Sequence, residues 1–242
     1  MKFWSYKNIE KLTEQRLAEY ELKHGVISAP PVPLDRIIEN CFDLNILWEP
    51  IEEKDNECIL GGLCPDKKQI ILNEAHLDLF KSKPGLEYST KGHELGHWDL
   101  FVKKDLIGQP ELFNGAGASF LMRSGKESQN NIRILIANMW RSPEAYKILA
   151  ELEKGKDDQL TRRLVDKYAS MMSMPTVLLR KVCADYDLMK WPNLYDIARV
   201  FNVTISALRV RLEQMNMIYV DGKTKTIYRS KEEFSGQLAL NI

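Results

Sequence analysis

His93-Glu94-Leu95-Gly96-His97 sets two imidazoles and a carboxylate at helical spacing. Residues four apart on an α-helix share a face, so His93 and His97 can offer nitrogens to one tetrahedral zinc ion. Glu94, one position round, can reach a water held there. Zinc lowers the pKa of such a water to about 7, and a carboxylate can take its proton as it attacks a carbonyl. The chemistry expected is amide hydrolysis, with His93 and His97 as metal ligands, Glu94 as general base and Zn2+ as cofactor. No single residue announces itself as the oxyanion stabiliser. His76 and Tyr88 are available, and either serves equally well as a structural residue.

The H-E-x-x-H pattern also arises by chance on polar helix faces, so its neighbours matter. Gly92 and Gly96 each cost about 1 kcal/mol relative to Ala inside a helix. Being four apart, they flatten one face and imply that something packs closely there. Leu95, Trp98, Phe101 and Val102 supply an apolar stripe for burial on another side.

The elements that must position this helix can be read in order. Residues 9–22 carry Leu12, Leu17 and Tyr20 among many charges, as a surface helix does before Gly25 ends it. Ala29-Pro30-Pro31-Val32-Pro33 is extended, and helical periodicity resumes through Leu34, Ile37, Ile38 and Cys41. Residues 44–48, 59–63 and 69–73 are short β-rich runs separated by turn residues, expected to form a small antiparallel sheet. Ile70-Ile71-Leu72-Asn73 is the candidate edge on which an extended peptide substrate would lie. Residues 107–126 are rich in glycine and polar residues and read as a loop or lid. Residues 132–140 and 145–152 have helical character, broken at Ser142-Pro143-Glu144. Residues 160–173 form a buried helix that stops before Pro175.

Beyond Pro175, residues 177–186 read as a helix. Residues 194–200 and 205–212 then outline a helix-turn-helix, with Thr204 as N-cap and Arg209 and Arg211 on the second helix. DNA contact by these arginines is possible, although arginines on an exposed face usually serve solvation. Residues 218–228 have the alternation and turn chemistry of a β-hairpin, and the closing residues are expected to fray. The fold class is therefore α+β, divided into residues 1–175 and a C-terminal helical and hairpin module at 176–242.

The chain has 242 residues, 44% of them hydrophobic, with 34 basic residues balancing 34 acidic ones. That balance points neither to a nucleic-acid binder nor to a membrane-surface protein. No apolar run reaches the length of a membrane span and no signal-peptide core opens the chain, so a cytoplasmic location is expected. Cys41, Cys58, Cys64 and Cys183 form no C-x-x-C pair, so reduced, packed thiols are expected and zinc ligation by cysteine is not.

His93-Glu94-Leu95-Gly96-His97, followed by Val165-Asp166-Lys167-Tyr168-Ala169 and Met174-Pro175, resembles the ImmA/IrrE family of metallopeptidases. The resemblance extends to the proline-rich entry at 29–33 and to the ending at 193–212. It implies a zincin-like domain, a zinc endopeptidase activity and, as partner, a regulatory protein such as a helix-turn-helix repressor. It also implies a third metal ligand, a Glu on the second helix, at position 162.

This chain has Arg162 there. A guanidinium has no lone pair to offer. Pointed at zinc from about 4 Å, it would meet a repulsion of about 8 kcal/mol at an effective dielectric of 20. Asp166, one turn later, could shift inward to ligate or could instead orient an imidazole. Asp158, one turn earlier, is the other geometric candidate, with a solvated role as its alternative. The rival to the peptidase is thus a catalytically inactive relative that works by binding a protein or DNA.

Overall fold

The fold is described from a computed structural model, which covers residues 5–53, 58–83, 85–102, 121–124 and 156–236, with 121–124 and 156–160 described by backbone alone. It is mixed α+β. The expectations for 132–140, 145–152, the final residues and most of 107–126 lie outside these stretches.

Helix α1 (Tyr6–His24) starts where the Ser5 hydroxyl accepts the Asn8 N–H at 3.2 Å. Its buried stripe is Ile9, Thr13, Leu17 and Tyr20, with Leu12 only packed at the margin, so the helix belongs to the core. Helix α2 (Leu34–Phe42) buries Leu34, Ile37 and Ile38 as expected, with Phe42 rather than the half-buried Cys41 completing the stripe.

Four strands follow as one sheet: β1 (Asn45–Glu49), β2 (Ile59–Cys64), β3 (Gln69–Asn73) and, later in the chain, β4 (Leu121–Ser124). Their order is β1-β3-β2-β4. β2 is antiparallel to both β3 and β4, but β1 pairs parallel with β3, so the sheet is mixed where a purely antiparallel one was expected. The expected edge is also corrected. Ile70, Ile71, Leu72 and Asn73 are all buried, and a run without polar alternation takes a central place covered on both faces. β1 exposes Asn45, Trp48 and Glu49 and tolerates an edge position. Leu121–Ser124, placed in the loop or lid by its surroundings, is recruited into the sheet by pairing with β2.

A 3-10 turn at Glu74–His76 and the short helix α3 (Leu77–Ser82) lead to α4 (Leu86–Phe101), which carries the H-E-x-x-H pattern. α4 rests on β2 at Gly61, where a Cβ would come within 2.8 Å of the Ile71 carbonyl and 3.0 Å of Thr90 Cγ2. Helix α5 (Lys156–Ser173) lies along α4 and α1. It contributes Val165, Tyr168 and Met172, each fully buried.

The chain turns at Met174-Pro175 into α6 (Thr176–Cys183), then α7 (Trp191–Val200) and α8 (Ile205–Gln214). Thr204 caps α8 as expected, accepting the Ala207 N–H at 3.2 Å. β5 (Tyr219–Val220) and β6 (Ile227–Tyr228) form the expected hairpin, and α9 (Lys231–Phe234) follows it. One continuous apolar core runs from Ile9 to Val220 and takes in α6, α7 and α8. Among the described residues, no helix is long and apolar enough to cross a membrane.

Arg211 is not on an exposed face. It is 2% exposed, with its guanidinium donating to Glu10 Oε1 (3.0 Å), Thr176 Oγ1 (2.9 Å) and the Met174 carbonyl (3.3 Å). A guanidinium with these three acceptors, buried inside the chain, is not available to DNA. Arg209 is half-buried, its Nε 3.9 Å from Glu213 Oε2.

Candidate metal centre

α4 can approach α5 because its glycines leave a bare strip. A Cβ at Gly92 would stand 3.3 Å from the Ala169 Cβ. One at Gly96 would stand 3.1 Å from Val165 Cγ1 and 3.2 Å from the Val165 carbonyl. The close packing that the two glycines imply is therefore α5, running antiparallel. The helix is buried on nearly every side: Leu95, Trp98, Gly92, His93 and Glu94 are all inside, and Phe101 and Val102 pack partly against the core.

On this interface His93 Nε2 and His97 Nε2 stand 3.2 Å apart, with the rings edge to face. Two imidazole nitrogens on one tetrahedral zinc keep a separation of about 3.3 Å, so the pair fits a shared ion. The other nitrogen of His93, Nδ1, lies 2.8 Å from Asp166 Oδ1. A carboxylate can only accept here, so Nδ1 carries the proton and the Nε2 lone pair faces His97. Carboxylates behind metal-binding histidines fix the tautomer and the ring plane in this way. Glu94, one residue on, is fully buried.

Of the two candidates for a third ligand, Asp166 is engaged with the Nδ1 edge of His93 at 2.8 Å. Asp158 lies in α5, and its side chain is outside the described residues. The register that puts Asp166 opposite His93, Ala169 opposite Gly92 and Val165 opposite Gly96 puts position 162 opposite His97. Arg162, one turn before Asp166, thus stands in register with His97. Among the described residues, no third donor joins the imidazole pair. Tyr88 is structural, its hydroxyl donating to the Val32 carbonyl at 2.6 Å, and burial followed by the Asp35 charge pushes its pKa up.

Two ion-pair groups hold α4 in place, and sequence reasoning found neither. Arg16 donates through Nε and one terminal nitrogen to both oxygens of Asp99 (3.0 and 2.9 Å), and the Tyr168 hydroxyl adds a 3.0 Å bond to the same carboxylate. Asp99 is two residues past His97, so α1, α4 and α5 are pinned beside the centre. The hydrogen bond to Asp99 raises the Arg16 pKa against burial. Lys91, 6% exposed, donates to Asp35 (2.9 Å) and Glu87 (2.6 Å). Burial pulls the Lys91 pKa down, but these two carboxylates outweigh it and hold the group above the ordinary lysine value.

A second group of donors lies at the base of the β2–β3 hairpin, beside the start of β2 and the end of β3. Glu53, Cys58 and His76 bring a carboxylate oxygen, a thiol and a ring nitrogen within 4.8 Å of one another, a set that could hold a metal ion. The cysteine spacing gave no sign of it, because Cys58 meets His76 only once the hairpin has closed. His76, considered above for an oxyanion role, belongs to this group instead.

No family model and no curated protein matches this chain. A solved structure, a Mycobacterium tuberculosis transcriptional regulator, is similar over 85% of this chain and 47% of its own, at 11% identity and a TM-score of 0.45. The chain spans about half the length of that protein.

Proposed function

We propose that the chain is a zinc-dependent peptidase with a zincin-like domain of the ImmA/IrrE type, acting on an extended segment of a regulatory protein such as a helix-turn-helix repressor. The observation that carries this reading is the pair of imidazole nitrogens 3.2 Å apart with a carboxylate behind one of them. His93 and His97 hold the ion, and Asp166 keeps the His93 ring in the ligating tautomer. Zinc, when bound, supplies Lewis-acid activation of water and of a substrate carbonyl. Glu94 accepts the proton of the attacking water and returns it to the leaving amine. Its full burial shields that transfer from bulk solvent. With β3 inside the sheet, main-chain recognition of substrate falls to an outer strand, β1 or β4.

A second reading rests on Arg162. A cation in register with His97 weakens the site, and a protein with an empty centre would work by binding a regulatory partner. Zinc content after purification without added metal or chelator, together with a Glu94→Gln variant, separates the two. The peptidase reading expects about one zinc per chain at the histidine pair, counted in a Cys58→Ser background, and loss of repressor inactivation in Glu94→Gln with partner binding intact. A natural chain that is empty at the histidine pair and fills it only as Arg162→Glu supports the binding protein, as does a Glu94→Gln variant with undiminished effect.

A further inference from the structure

We propose that Glu53, Cys58 and His76 form a zinc site of their own, independent of the histidine pair on α4 and of the peptidase reading. The three donors address one point. Cys58 Sγ lies 3.6 Å from His76 Nε2, and Glu53 Oε1 lies 2.6 Å from the same nitrogen. A thiolate and an imidazole on one tetrahedral zinc stand about 3.5 Å apart, given Zn–S near 2.3 Å and Zn–N near 2.0 Å. The sulfur is therefore already at ligating distance. A carboxylate and an imidazole on the same ion stand about 3.3 Å apart, so binding opens the Glu53 to His76 hydrogen bond by about 0.7 Å, within reach of a carboxylate rotation.

The use of a single ring nitrogen separates this arrangement from a nucleophilic triad. An activated cysteine gives its proton to one imidazole nitrogen while the acid holds the other. Here sulfur and carboxylate share Nε2, which is the convergence a metal requires. A mixed sulfur, nitrogen and oxygen set suits zinc and is wrong for magnesium or calcium, which take oxygen ligands.

The backbone under these ligands is cross-braced. Asn73, fully buried at the end of β3, donates to the Ile59 carbonyl (2.9 Å) and to Glu53 Oε1 (3.4 Å). Its own oxygen accepts the Ile51 and Ala75 amides, each at 3.1 Å. Glu53 Oε1 also accepts the Ile59 N–H. One amide side chain therefore ties the segment after β1 that bears Glu53, the start of β2 next to Cys58 and the turn bearing His76. Hydrogen bonds to a ligating carboxylate are the outer support that metal sites use. An ion here would staple the base of the β2–β3 hairpin, with a fourth position left for water.

Cobalt titration of the full chain tests this, because only a thiolate ligand gives a sulfur-to-cobalt charge-transfer band and the α4 centre has no cysteine. The band is expected in the natural protein and in the His93→Ala/His97→Ala double variant, and is expected to vanish in Cys58→Ser. The double variant should still bind about one zinc per chain, and His76→Gln in that background should weaken zinc binding tenfold or more. Should Cys58→Ser fail to fold, alkylation of the natural protein serves instead: zinc should slow modification of Cys58 at least tenfold and leave Cys41 at its own rate. A band that is absent, a band that survives Cys58→Ser, or alkylation of Cys58 unaffected by zinc overturns the site. None of these outcomes bears on the peptidase reading, which the double variant removes.

Discussion

Asp166 Oδ1 and His93 Nδ1 lie 2.8 Å apart across the junction of α4 and α5, so a carboxylate on one helix sets the ring plane and tautomer of an imidazole on the other. Asp166→Asn keeps the size and removes the charged acceptor. Zinc affinity at the α4 centre should fall about 10- to 100-fold with the helices intact. A competition titration against a chelator, run in a Cys58→Ser background, measures it, and an unchanged affinity would remove Asp166 from the support of the site.

The glycine strip predicts an inversion of the usual helix rule. Gly→Ala in a helix ordinarily gains about 1 kcal/mol. At Gly96 the added carbon meets the Val165 carbonyl at 3.2 Å, backbone that cannot swing aside, and overpacking of this kind costs about 1–3 kcal/mol. Gly96→Ala should therefore be destabilising by about 1 kcal/mol net. Gly92→Ala, meeting the Ala169 Cβ at 3.3 Å and the Ala169 Cα and Ser173 Oγ only at 3.6 Å, should be close to neutral. Urea unfolding of the two variants ranks them.

Burial first, and then the charge of Arg211, pulls the Lys167 pKa down from 10.5 to about 8. Below pH 8 both states hold the proton and the folded state bears the penalty of a partly buried cation. Between 8 and 10.5 the unfolded chain binds more protons, so this group makes stability rise with pH. Lys167→Met should accordingly be more stable than the natural chain at pH 7, by less than about 1 kcal/mol after solvent screening. The contact of the ammonium with the Tyr6 ring at 4.5 Å reduces the gain further. The difference should shrink to nothing as pH passes 10, and a gap that widened there would refute the assignment.

Arg211→Met removes the guanidinium from Glu10, which keeps only the Thr176 hydroxyl at 2.6 Å, and from Thr176 Oγ1. Breaking one side of a buried ion pair costs about 3–5 kcal/mol, and the 37% exposure of Glu10 moves the expected loss toward about 2–3 kcal/mol. Glu10→Gln in the same background should recover part of it. Thermal unfolding gives both numbers, and a loss below about 0.5 kcal/mol would mean that the clasp contributes little.

What could be read from the sequence was local. The spacing of His93, Glu94 and His97, the glycines at 92 and 96, the Thr204 cap and the hairpin at 218–228 all depend on neighbours within a few residues. What could not be read depends on closure. Arg16 and Asp99 are 83 residues apart, and Glu53 meets His76 across 23. Ile70 to Asn73 announced a strand, but its place between β1 and β2 is decided by partners that periodicity does not name. Arg211 looks like surface charge from its own helix, and its burial is set by Glu10 and by the turn at Met174.

The bond from Arg211 to Glu10 spans 201 positions of sequence. At roughly 5–20 residues per second, synthesis reaches Arg211 about 10–40 s after Glu10 has been made. α1 thus waits for this partner until the whole segment between them has been made. Its charged outer face keeps it soluble through that interval, while Ile9, Leu17 and Tyr20 stay open to whatever binds nascent chains.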